Sequence, residues 1–117
     1  MIVRCVRRDV PPCPPDEPEW RRLDLAVGTE YRVITIEYGD YRLLGESRRP
    51  YLYPSSAFDI VDRAWDDDWV SDSDSDGTPS IGPSELLVPG LFEDYFDKDP
   101  ATQHVVDGLL RRKGFPL

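Results

Sequence analysis

The 117-residue chain is long enough for one domain with a single modest core, and its 39% hydrophobic and 11% aromatic content supplies that core and argues against global disorder. The net charge of -9 is unevenly spread: residues 1–50 carry nine arginines against nine acidic residues, whereas residues 51–117 carry five basic residues against fourteen acidic ones. Such a field repels phosphate backbones and draws basic surfaces from a distance, which excludes nucleic acid as the expected partner and favours a basic protein.

In the opening stretch, Met1-Ile2-Val3-Arg4-Cys5-Val6-Arg7-Arg8, charges interrupt the apolar residues too often for a signal peptide or a membrane span, so a cytoplasmic location is expected. Residues 2–7 read as a first strand with Val3 and Cys5 on one side. Pro11 to Pro18 lacks the amide donors for helix or sheet and reads as a stiff polyproline II loop. It contains no basic anchor, which favours a structural loop over a ligand for an aromatic groove. The two cysteines, Cys5 and Cys13, lack metal-ligand spacing and are too few for a disulfide framework; reduced thiols are expected.

Leu23 to Val27 leads into a turn at Gly28-Thr29, and Glu30 to Glu37 gives eight residues of strong β-propensity. Gly39-Asp40 is placed for a tight hairpin from which Tyr41 to Leu44 returns antiparallel. A turn around Gly45 to Pro50 delivers Tyr51-Leu52-Tyr53. Pro54-Ser55-Ser56 suits one helical turn, and Phe58 to Asp62 reads as a closing strand. Five short strands with tight turns suit a small barrel, whose expected core is Val3, Val27, Tyr31, Val33, Leu43, Tyr53, Phe58 and Ile60.

The remainder differs in kind. Asp66 to Gly77 holds six aspartates and reads as a solvated or disordered loop. Ser84 can cap a helical turn through Glu85-Leu86-Leu87 that Pro89 ends. Leu91, Phe92, Tyr95 and Phe96 make an apolar stripe on a short helix. Asp99 is a good N-cap and Pro100 a good first residue for a second helix, with Val105, Val106, Leu109 and Leu110 on one face and Gly114 placed to end it. The expected organisation is therefore a barrel over residues 1–64, an acidic loop over 65–80 and a helical extension over 81–117 packed on the barrel.

The stretches Val3-Arg4-Cys5-Val6, Leu25 to Val33, Tyr51-Leu52-Tyr53-Pro54 and Phe58-Asp59-Ile60-Val61 resemble the small Src-homology-3-like β-barrel proteins of bacteria and phages. The likeness covers about the first sixty residues and implies a mainly β fold, a five-stranded small barrel carrying one or two short α-helices. Pro83 to Leu87 with Gly90 to Asp97 also resembles C-terminal extensions of immunity proteins from bacterial toxin systems. That resemblance implies a non-catalytic, protein-binding function in which a toxin is neutralised.

Asp72-Ser73-Asp74-Ser75-Asp76-Gly77 opens like a calcium loop, but Pro83 stands where the bidentate glutamate is needed; starting at Asp74 puts Pro79 at the glycine position. A solvated acidic loop is the better reading, and no metal or cofactor is expected. His104, the only histidine, falls off the apolar helix face and is expected at the surface. Glu93, Asp94, Asp97 and Asp99 read as solvating charges, so no catalytic residue is assigned.

Trp65 and Trp69 flank Asp66-Asp67-Asp68, a pairing of aromatic anchors with carboxylates that suits a cationic cleft on a partner. With Asp72, Asp74 and Asp76 they form the expected docking surface of an immunity protein acting as a monomer on a basic toxin. The alternative is a peptide-binding adaptor or phage-encoded regulator that uses a tyrosine face of the barrel at Tyr38, Tyr41, Tyr51 and Tyr53.

Overall fold

The computed structural model describes residues 1–7, 24–73 and 79–117. The polyproline loop, Cys13, Asp74 and Asp76 lie outside the described residues. Among the described residues seven strands form: β1 (Ile2–Cys5), β2 (Glu30–Glu37), β3 (Asp40–Leu44), β4 (Pro50–Tyr53), β5 (Phe58–Asp62), β6 (Trp69–Ser73) and β7 (Pro79–Pro83). Single 3-10 turns stand at Ser55–Ala57 and Ser84–Leu86, and two helices follow, α1 (Leu91–Phe96) and α2 (Pro100–Arg112). The architecture is mainly β with C-terminal helices, and no described helix is long and apolar enough to cross a membrane.

All strand neighbours are antiparallel, in the order β4-β3-β2-β1-β5, and the path is open: among the described residues β4 and β5 do not pair. β2 is the central strand. Its first half pairs with β1, its second half with β7 on that same flank, and β3 runs along the other. A register shift between Val33 and Thr35 lets the long strand bend as it passes from one neighbour to the next.

That bend also explains the near-continuous apolar run in β2, because both of its faces are covered. Tyr31 and Val33 join Val3, Cys5, Leu43, Tyr53 and Phe58 in one core; Ile34 joins Leu44, Leu86, Phe92, Tyr95, Val106 and Leu110 in a second. The second core seals the helices onto the strands. Tyr95 donates a hydrogen bond to Asp107 at 2.8 Å, tying α1 to α2; burial, then that bond, push its pKa up to about 12.

The β2–β3 hairpin turns on Tyr38 and Gly39, both with positive φ (55° and 77°), the signature of a type I′ turn. Along the same half of β2, Gly82 permits the close approach of β7: a Cβ there would stand 2.8 Å from Thr35 Cγ2. Asp99 caps α2 by accepting from the Thr102 amide at 3.2 Å, with Pro100 at the first position, and Gly114 follows the helix at φ 89°.

Several expectations need correction. There are two more strands than the five expected, because β6 and the start of β7 occupy the stretch assigned to an acidic loop. Backbone pairing of Trp69 to Ser73 with Pro79 to Pro83, and of β7 with β2, holds this hairpin in place, and Trp69 and Ile81 anchor it on the first core. Val27 is exposed, since it sits at the corner of a turn closed by Thr29 N–H to the Ala26 carbonyl, and Leu25 takes the inward place. Val105 is exposed as well: α2 packs on one side only, through Val106 and Leu110.

Candidate functional site

The expected docking residues separate into three groups. Tyr41 and Tyr53 are buried, Tyr53 donating its hydroxyl to Asp24, and the Tyr51 ring lies stacked on Phe96 at 4.8 Å. The tyrosine face expected for an adaptor is therefore not on the surface; of its four members only Tyr38 is exposed. Alternation along β3 and β4 turns these rings to the interior, which their polar hydroxyls had disguised.

Asp66, Asp67 and Asp68 form the second group, and two of the three are spent inside the molecule. Asp66 accepts from Arg32 Nη2 at 2.7 Å and lies 3.8 Å from Lys113 Nζ and 4.0 Å from the N-terminal ammonium. Lys113 donates to both carboxylate oxygens of Asp68, at 2.7 and 2.6 Å. Burial works to raise the Asp66 pKa, but the Arg32 hydrogen bond and charge, with the ammonium and Lys113, outweigh it and hold the carboxyl below its ordinary value. The Arg32 guanidinium also covers the Phe115 ring at 4.3 Å and donates to the Lys113 carbonyl. This constellation is a clamp joining β1, β2 and the end of α2. Beside it Trp69 is buried with its Nε1 unpaired, whereas Trp65 is exposed and tilted against it at 6.3 Å.

Asp72 stands apart. It lines a cleft of about 360 Å³ between the β2–β3 turn, the β6–β7 hairpin and the segment Leu86 to Glu93. A second hollow of about 370 Å³, bounded also by Val70 and Ser71, adjoins it, the two sharing Asp72, Leu87, Val88 and Pro89 as walls and together making the groove. Its rim carries three exposed apolar side chains, Tyr38 (67% exposed), Val70 (44%) and Val88 (53%). The carboxylates of Asp72 and Glu93 are exposed on it and make no ion pair among the described residues.

The groove floor is built differently. Arg42 projects from β3 toward the helices, donating to Glu37 through Nε at 2.6 Å and Nη2 at 3.2 Å, and to the Pro50 carbonyl through Nη1 at 2.8 Å. Thr35 Oγ1 donates to the same Glu37 carboxylate, and the guanidinium stacks 3.8 Å from the Phe92 centroid. Every arm of the arginine is thus occupied, and its charge is cancelled by Glu37. What faces solvent is apolar surface with two unpaired negative charges.

Sequence reading named Asp72 but treated Glu93 as solvating charge and missed Val70 and Val88. One local signal was available: tyrosine at the first centre of a type I′ turn, where asparagine, aspartate or glycine is preferred. Among the described residues no group of three histidine, cysteine or acidic side chains is arranged to hold a metal ion. No protein-family model matches this chain, and no curated protein or solved structure does so either.

Proposed function

We propose that this chain is a non-catalytic protein-binding module, an immunity protein that neutralises a basic toxin in the cytoplasm by docking its acidic C-terminal half against it. The observation that carries this reading is the placement of charge. The whole excess lies in residues 51–117, and two of its carboxylates, Asp72 and Glu93, sit beside exposed apolar side chains without an ion-pair partner among the described residues. Apolar contact supplies affinity while the surrounding field supplies steering and orientation. For the scaffold, the order β5-β1-β2-β3-β4 with a 3-10 turn between β4 and β5 supports an open variant of the Src-homology-3-like small barrel, with the β6–β7 hairpin and two helices added.

Co-expression with the product of the neighbouring gene, followed by pull-down at about 50 mM and about 500 mM salt, tests the reading, because ionic screening shortens the reach of the field. A complex whose association slows steeply with salt, and relief of the product's toxicity, are expected. No complex at the lower salt and no relief of toxicity would end it.

A further inference from the structure

Resting on that reading, we infer that the groove is the anchor point: it receives an extended partner segment in which a lysine or arginine is flanked by aliphatic residues. The basic head is held by Asp72 from β6 and Glu93 from α1, and the aliphatic flanks lie on Val70, Val88 and the Tyr38 ring.

Three observations converge on this occupant. First, the groove is mixed in character, apolar along its rim and negatively charged at two points on different elements, so a purely apolar segment would bury both carboxylates unpaired. Second, the one cation that the described residues place in the groove wall does not oppose another: Arg42 is neutralised by Glu37 and pressed onto Phe92. Third, Tyr38 is at odds with its own position. Its φ of 55° is a conformation that aromatic residues rarely adopt, and its ring is 67% exposed. Neither the turn nor the core accounts for tyrosine there. A ring face available to a cation and to aliphatic groups on the rim of an acidic groove does.

The probes are three capped hexapeptides, alternating leucine with arginine, glycine with arginine, and leucine with glutamate, titrated into the isotopically labelled full chain and followed by amide resonances. The leucine–arginine peptide is expected to shift Tyr38, Asp72, Val88 and Glu93 together, with the other two binding at least tenfold more weakly. Asp72→Lys combined with Glu93→Lys is expected to weaken that peptide at least tenfold, while Asp59→Lys on exposed β5 leaves it unchanged. Tyr38→Asn is expected to weaken it several-fold while raising the thermal midpoint, a pairing that a merely structural tyrosine would not give. Equal binding of the glycine–arginine peptide, or shifts centred away from the groove, would overturn the assignment. A toxin that still binds the Asp72→Lys, Glu93→Lys variant would overturn the groove and leave the immunity reading standing; a neighbouring product that binds neither form would remove the reading itself.

Discussion

Asp66 and Asp68 lie only a few residues before Asp72 in the chain, and the fold treats them and Asp72 in opposite ways. Asp66 and Asp68 are drawn in by Arg32 and Lys113 and hold three distant parts of the molecule together. Asp72, in the next strand, meets no cation among the described residues and faces a groove with Glu93. The difference is where the described basic residues Arg32 and Lys113 stand, so negative charge along a sequence is open to a partner only where the fold leaves it uncompensated.

The sharpest way to disturb that division is at the arginine under the groove. Arg42→Ala leaves the Glu37 carboxylate in a mostly enclosed site without its partner, and is expected to cost about 3 kcal/mol in urea unfolding. The clamp comes next: Asp66→Ala should cost about 1.5 kcal/mol, the worth of charge-assisted hydrogen bonds at a partly buried site. Because the folded-state pKa of Asp66 lies below the ordinary carboxylate value, its stabilisation is complete above that ordinary value. It is lost as pH falls through the folded pKa, so wild type and Asp66→Ala should converge in strong acid.

At the groove the sign reverses. Tyr38→Asn relieves a left-handed aromatic residue and should raise stability by about 1 kcal/mol, read by the same unfolding assay. Smallest of all, Asp72→Asn with Glu93→Gln should change stability by less than about 0.5 kcal/mol, because neither carboxylate has an ion-pair partner among the described residues. A loss comparable to that of Asp66→Ala would place both sets of carboxylates in the same structural role and erase the distinction between them.

Much of the scaffold could be read from local chemistry. Glu30 to Glu37, the Tyr51 to Tyr53 strand, the turn after Pro54, the Asp99 cap and the stop at Gly114 each follow from propensity or from a residue that only one conformation suits. The β6–β7 hairpin could not, because Ser71, Asp72 and Ser73 have a loop's composition and are held by ladder pairing with residues six to ten positions away. The groove was hidden for a related reason. Tyr38, Asp72, Val88 and Glu93 come from four separate segments, and the charges that remain unpaired are known only once Arg32, Arg42 and Lys113 have been placed.

The double-sided burial of β2 reaches beyond the strand itself. A residue such as Ile34 belongs to the helical layer while its neighbour Val33 belongs to the other core, so neither layer can melt and leave the other whole. Unfolding should be one cooperative step, with the β2 amides exchanging only through global opening. A ligand gripping the β2–β3 turn and α1 together would then slow exchange on both sides of the molecule at once.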